Sequence, residues 1–250
     1  MGRSHALRLA EEGADLILVD ICTPIPGIEY PMGTADELAE TVAGVEDLGR
    51  KAIGLAIDTR DADKLRDAVS AAAHELDGLD AAVANAGVLT AGTWDTVSAQ
   101  DWRTVVDVNL IGTWNTCAAA IPHLIQRGGG SIVNISSAAG IKGTPLTPPY
   151  TASKHAITGL SMALANELAE QSIRVNSVHP TGVPTGMQAP GLFELFEGRG
   201  SGLAAIYQNA LPIEMIEARD VSNAVLFLIS DEARYVTGMQ FKVDAGVTIR

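Results

Sequence analysis

A doubly wound α/β fold, with a parallel sheet covered on both faces, is what this sequence predicts. Two observations carry the prediction. Short apolar runs alternate with helix-period stretches of ten or more residues, the mark of successive βαβ units. The 250 residues, 47% apolar and 19% charged, also suffice for one α/β domain with a sizeable core.

Gly2 to Glu12 reads as the first helix, with Ala6, Leu7, Leu9 and Ala10 apolar and Gly13 as its C-terminal stop. Leu16-Ile17-Leu18-Val19 is a continuous apolar run ending at Asp20, the pattern of a strand buried on both faces. Thr34 to Leu48 is helical and opens on a capping box, Thr34 with Glu37 three residues on. Ala52 to Ile57 is the next strand, ending at Asp58, and Ala62 to Leu76 the next helix. Ala81 to Ala84 is strand, and Ser98 caps a long helix that runs to about Gln126. Ser131 to Ile135 is strand, Tyr150 to Glu170 helix and Arg174 to Val178 strand. Arg219 to Ile229 is helix and Gln240 to Val243 the last strand. No repeat or low-complexity tract breaks the alternation, so residues 1–250 read as a single Rossmann-like domain.

Two irregular stretches follow strand ends. Ile21 to Gly33 carries Pro24, Pro26 and Pro31; Thr181 to Met215 is apolar and glycine-rich, with Phe193, Leu195, Phe196, Leu203 and Tyr207. Ligands of open α/β sheets bind beyond the carboxyl ends of the strands, so both stretches can frame a site. Residues 183–216 read as a substrate lid.

The net charge of −13 and the lack of any basic run exclude a nucleic-acid or anionic-membrane surface as the main business. No apolar stretch approaches the roughly 18 residues a membrane helix needs. Cys22 and Cys117 are too few for a disulfide framework and too far apart for a zinc knuckle. The expectation is a soluble, acidic, cytoplasmic protein. Asp58, Asp61, Asp63 and Asp67 miss calcium-loop spacing, and there is no H-E-x-x-H or Walker motif, so no metal site is expected. The glycosylation sequon at Asn134 falls in an expected buried strand, His74 and His123 read as helix-surface residues, and His5 has no evident partner.

Tyr150 and Lys154, at i and i+4 on one helix, share a face, which brings the ammonium near the phenol. A free phenol titrates near 10, so acid–base work near neutrality needs a shift of about 3 units, roughly 4 kcal/mol. A neighbouring positive charge supplies part of it. Alone, the pair is more simply a chance Tyr and Lys on an amphipathic helix; context reverses that. Ser137 follows the strand Ile132-Val133-Asn134-Ile135 and lies 13 residues before Tyr150. Asn109 sits on the preceding long helix, and Asn85-Ala86-Gly87 ends a strand where glycine permits close backbone approach to a ligand.

Together these residues resemble the short-chain dehydrogenase/reductase family, and the resemblance runs from Gly2 to Gly246. The family's N-A-G stands as Asn85-Ala86-Gly87, its catalytic Asn as Asn109, its Ser as Ser137 and its Y-x-x-x-K as Tyr150 and Lys154. Val175-Asn176-Ser177-Val178-His179-Pro180 matches the segment whose proline adjoins nicotinamide, and Thr185 the threonine that follows. Val243-Asp244-Ala245-Gly246 matches the closing V-D-G-G, with Ala245 for the first glycine.

The resemblance implies a hydride transfer between NAD and an alcohol or ketone. Tyr150 would exchange the hydroxyl proton, and Lys154 would lower the tyrosine pKa and bond the nicotinamide ribose. Ser137 would orient the substrate oxygen, and Asn109 would hold a water linking Lys154 to solvent. Asp20, 18 residues beyond Gly2, would accept both adenosine-ribose hydroxyls and repel a 2′-phosphate, which favours NAD over NADP. Asp58 would meet the adenine amino group. The Pro-rich insertion looks like the carveol-dehydrogenase-like, mycofactocin-associated branch, whose enzymes are thought to hold NAD without exchange and to pass electrons to an external carrier. Val183-Pro184-Thr185-Gly186 departs from the Asn-Thr-Pro expected there. The apolar lid suggests a terpenoid- or steroid-like secondary alcohol or ketone, and the long helices carrying Asn109 and Tyr150 would pair within a homotetramer.

Family members carry a strand and T-G-x-x-x-G-x-G ahead of the first helix; of these only the last glycine, Gly2, is present. The expectation is a gap between the Leu16–Val19 and Ala81–Ala84 strands, a weakened pyrophosphate cradle and a native start upstream of Met1. The buried apolar side chains of such a strand are worth an amount comparable to a whole domain's stability. A non-catalytic remnant or subunit unable to hold NAD is therefore the competing reading, against which the intact Asn109, Ser137, Tyr150 and Lys154 argue.

Overall fold

The computed structural model describes residues 1–187, 191–197 and 201–250. Six strands alternate with helices. They are β1 (Leu16–Asp20), β2 (Ala52–Ala56), β3 (Ala81–Ala84), β4 (Gly130–Ile135), β5 (Ile173–Pro180) and β6 (Gln240–Val243). The helices are α1 (Gly2–Glu11), α2 (Ala35–Asp47), α3 (Ala62–Glu75), α4 (Ala99–Val106), α5 (Gly112–Arg127), α6 (Pro148–Glu167), α7 (Leu192–Glu197), α8 (Ser201–Ala204) and α9 (Ala218–Ile229). Every strand pairing among the described residues is parallel: β1 with β2, then β3-β4-β5-β6 in that order. Helices α1, α2 and α9 cover one face, and α3, α4, α5 and α6 the other.

The core follows from the two-residue period of β4 and β5. Ile132 and Val175 pack with Leu124 of α5 and Leu164 of α6. The next positions, Val133, Ile135 and Val178, face Val221, Val225 and Leu228 of α9. Both strands are buried almost throughout, which holds their carboxyl ends, where the site lies, at fixed spacing. Asn134 is fully buried, bonded to Cys117 and Ser161, so its sequon is not a surface loop.

The capping signals work as read. Thr34 Oγ1 accepts from Glu37 N–H while Glu37 returns a bond to Thr34 N–H, and Ser98 does the same with Asp101. Four features differ from the sequence reading. β1 is only half-buried along Leu16–Val19, and among the described residues no strand pairs its edge to β3, where the reading placed a gap. The long helix divides into α4 and α5 around a π turn, Asp107–Ile111, that holds Asn109. The stretch read as irregular contains α7 and α8, with Phe196 edge-on to Tyr207 at 5.3 Å between ring centres. The six lid positions 188–190 and 198–200 lie outside the described residues. His5, expected to lack a partner, is buried with Nδ1 2.8 Å from Ser222 Oγ of α9. Among the described residues no helix is long and apolar enough to cross a membrane.

Candidate active site

Four side chains named from the sequence meet where β3 and β4 end against the start of α6. Ser137 caps the 3₁₀ turn Ala138–Gly140 just past β4, its Oγ accepting from Ala139 N–H at 3.1 Å. Prolines at the first positions of α6 suit a helix start, where the missing N–H costs nothing. They set Tyr150 in the first turn, with its phenol hydrogen-bonded to Ser137. One turn on, the Lys154 ammonium lies 5.6 Å from the centre of the Tyr150 ring and donates to the Ile135 carbonyl at 2.8 Å. Asn109 reaches over from the π turn. Its Nδ2 donates to Val88 O at 2.9 Å and Ser153 Oγ at 3.0 Å, and its Oδ1 accepts from Val88 N–H at 2.7 Å.

Burial sets the electrostatics. It pushes the Tyr150 phenol above its ordinary value, and the Ser137 hydrogen bond pulls it part of the way back. Burial also brings Lys154 down to about 8. The sequence reading gave Lys154 the task of lowering the tyrosine; the ammonium stands beside the ring while donating to Ile135 O, and Ser137 is a second group that lowers the phenol. Asn109 is held in place by protein partners. Its side-chain amide is engaged by Val88 and Ser153, and its main-chain carbonyl accepts from Thr113 Oγ1.

A dinucleotide suits the residues present. Lys154 keeps two of its three N–H donors free of protein partners among the described residues. Asn85 Oδ1, at the end of β3, is buried near the His5 ring but makes no hydrogen bond of ordinary geometry, which leaves it open to a ligand or water. Gly87 leaves an open approach: a Cβ there would sit 3.2 Å from Asn109 Oδ1 and 3.4 Å from Lys154 Nζ. Gly2 opens α1 beside the Asn85 amide, and Ala86 lies between Asn85 and Gly87. Asp20, exposed at the end of β1, uses Oδ1 to accept from Cys22 N–H at 2.9 Å, and no Lys or Arg pairs with it among the described residues.

The remaining sequence-named residues stand apart from this cluster. Asp58 is gripped by Arg60, with contacts of 2.6–3.0 Å to both carboxylate oxygens. Burial opposes its ionisation, but the Arg60 bonds win and hold its carboxyl below the usual value. Pro180 ends β5, paired with Val243. Thr185 closes a local turn by accepting from Met187 N–H at 3.3 Å. Ala245 takes φ 46°, the left-handed region where glycine is at ease, in keeping with a glycine in the matching motif. Among the described residues no cluster of His, Cys, Asp or Glu could hold a metal ion.

Three residues escaped the sequence reading. Tyr30, in the Pro-rich insertion, is buried and accepts from Leu89 N–H at 2.8 Å. Around it Ile25, Ile28 and Met32 pack with Val88 and Tyr150. Lys142, five residues past Ser137, donates to the main-chain oxygens of Ile206, Val247 and Arg250 at 2.8–3.0 Å. His179 bonds the Ser137 carbonyl. An aromatic inside a proline-rich loop was the one available signal for Tyr30; Lys142 offered none.

Known proteins share this fold and much of this sequence. The family described as enoyl-(acyl carrier protein) reductase matches residues 1–248. The chain is 46% identical to a (−)-trans-carveol dehydrogenase of Rhodococcus erythropolis, over 100% of this chain and 94% of that one. The crystal structure of a short chain dehydrogenase from Mycobacterium paratuberculosis bound to NAD superposes with a TM-score of 0.96 at 44% identity, covering 100% of this chain and 94% of the other. That of carveol dehydrogenase from Mycobacterium avium in complex with NAD gives 0.93, again at 44% identity and with 100% and 94% coverage. Ser137, Tyr150 and Lys154 at one end of a parallel α/β sheet, and this likeness along the whole chain, lead to one assignment: the chain belongs to the short-chain dehydrogenase/reductase family.

Proposed function

We propose that the protein is an NAD-dependent oxidoreductase that oxidises a hydrophobic secondary alcohol, or reduces the matching ketone, with Tyr150 as acid and base. The observation that carries the reading is the partly buried Tyr150, its phenol hydrogen-bonded to Ser137 beside an ammonium with two donors free of protein partners among the described residues. Bound NAD supplies the hydride acceptor. The substrate hydroxyl sits between Ser137 and Tyr150, Ser137 orients its oxygen, and the phenolate form of Tyr150 takes its proton as the ketone forms. Lys154 would offer its free N–H groups to the nicotinamide ribose and, as a cation, favours phenolate. Asn109 holds the Val88 backbone and Ser153, so it keeps Gly87 and Lys154 in register. Asn85, Ala86, Gly87 and Gly2 would hold the dinucleotide at the strand ends, with Pro180 and Thr185 meeting it from the far side of the cluster. The Asp20 carboxylate would take the adenosine-ribose hydroxyls and disfavour a 2′-phosphate. Asp58 offers the adenine amino group the lone pairs that Arg60 leaves.

The finer parts of the reading rest on the roof of the site. The insertion is pinned by Tyr30 to Leu89 N–H, and its Pro31 carbonyl lies 3.5 Å from where a Cβ on Gly186 would stand, at the root of the lid. Such a strap over the cofactor suits NAD that stays bound and is reoxidised by an external carrier of the mycofactocin type. The lid, residues 183–216, is apolar, and its relative acts on carveol, which supports a terpenoid- or steroid-like substrate. Exposed Ile111, Trp114 and Ile125 beside Met162 on α6 suit a homotetramer paired through these helices. Two free thiols fit a cytoplasmic location.

The test is direct. Purified protein is denatured and the supernatant assayed for NAD, and a panel of hydrophobic secondary alcohols is offered with an artificial electron acceptor. Released NAD and turnover that vanishes in Tyr150→Phe are expected. Neither NAD nor turnover would retire the enzyme in favour of a non-catalytic remnant.

A further inference from the structure

We propose that His179 is a positioning residue for Ser137 and sets the register of the Ser137–Tyr150 hydrogen bond. The inference deepens the dehydrogenase reading and rests on it. His179 is fully buried near the end of β5, and both of its ring nitrogens are used. Nδ1 stands 2.8 Å from the Ser137 carbonyl and Nε2 2.8 Å from Ser177 Oγ. A carbonyl only accepts, so Nδ1 carries the hydrogen. Burial pushes the ring down to about 4, with nearby Lys154 and Lys242 adding to the effect, so it is neutral at physiological pH and Nε2 accepts from Ser177. Ser177 and His179, two apart on one strand, point the same way, while Val178 between them enters the apolar core.

This wiring ends on a functional residue. The Ser137 carbonyl accepts from Gly140 N–H at 2.8 Å within its own turn and from His179 across the sheet. On the near side, Lys154 holds the same segment by donating to Ile135 O and accepting from Ser136 Oγ. His179 is thus the side-chain anchor, from β5, of the peptide group that orients the Ser137 hydroxyl. Asn176, a further polar side chain of β5, serves a structural end instead, tying down Val236 O and Met239 N–H. A histidine that only filled the core would leave Ser137 indifferent to its loss.

The test compares His179→Leu, His179→Asn and Ser177→Ala in the full-length protein, using the alcohol that wild type oxidises fastest. His179→Leu should lower kcat about tenfold, the effect of misplacing one hydrogen-bonded group, with KM moving less than about threefold. Because Ser137 holds the Tyr150 phenol down, the pH at which kcat is half-maximal should rise in His179→Leu. His179→Asn, which keeps a donor, should recover most of the loss, and Ser177→Ala should fall between. Tyrosinate absorbance, taken as the difference from the same protein carrying Tyr150→Phe, should show the Tyr150 ionisation moving upward in His179→Leu. If wild type turns over no alcohol, the dehydrogenase reading fails while this titration still decides the role of His179. An unmoved titration and pH profile, or equal defects in His179→Leu and His179→Asn, would overturn the proposal. Should His179→Leu fail to fold, His179→Asn and Ser177→Ala carry the same comparison.

Discussion

Lys154→Met separates what the buried ammonium does for catalysis from what it costs the fold. Burial brings this lysine from 10.5 down to about 8. At 1.36 kcal/mol per unit, a charged Lys154 destabilises the cofactor-free protein by about 3 kcal/mol. The sign follows from which state takes the proton first. As pH falls below about 10.5 the unfolded chain is protonated while the folded one is not, so stability declines until about pH 8 and is level below. Methionine has a similar unbranched shape and no charge, and it strips the Ile135 carbonyl of its Nζ donor, which gives back about 1–3 kcal/mol. The diagnostic quantity is therefore the pH dependence. Urea unfolding of both proteins, near pH 7 and near pH 10, should show the variant gaining about 2–3 kcal/mol on wild type between the two conditions as pH falls. Turnover should meanwhile drop by about a hundredfold or more. The same stability difference at both pH values would refute the claim that a charged Lys154 strains the fold.

Tyr30→Phe keeps the buried ring and removes the acceptor of Leu89 N–H; bound NAD should exchange with labelled NAD about tenfold faster, with unfolding changed by no more than about 1–3 kcal/mol. Lys142→Met frees three main-chain oxygens at the lid root and the 244–250 segment. In steady-state kinetics it should raise KM for bulky alcohols more than it lowers kcat, and limited proteolysis should cut the lid sooner. Asp20→Asn removes the charge that repels a 2′-phosphate, so calorimetric titration should show the NAD-over-NADP preference falling by about tenfold.

How far the sequence could be read depended on what kind of group each residue bonds. Tyr150, Lys154 and Ser137 were legible because a fixed helical spacing and a strand end dictate that they meet. The strands and caps were legible for a similar reason: Thr34 and Glu37, or Ile132 and Val133, act through local period and offset. Asn109 was legible as a residue but not as part of a π turn, since one extra residue in a helical turn leaves the apolar pattern nearly intact. The sign of the Tyr150 shift was not legible at all. Spacing gives the nearness of Lys154, whereas desolvation depends on how Val88, Val105, Ile25 and the insertion close over the ring.

His179, Lys142 and Tyr30 share a deeper reason for having been missed. Each spends its polar group on a backbone atom far away in the chain: Ser137 O, the oxygens of Ile206 and Val247, and Leu89 N–H. Nearly every residue carries that N–H and that C=O, so the partner leaves no mark in the sequence, and only the fold selects it. The sites of chemistry in this protein are side-chain pairs, which sequence can display. The supports of that chemistry are side chains gripping backbone, which it cannot. Substitutions at the supports should accordingly shift turnover, pH profiles, cofactor exchange or KM without abolishing the reaction, which is the pattern that the His179, Tyr30 and Lys142 variants are expected to give.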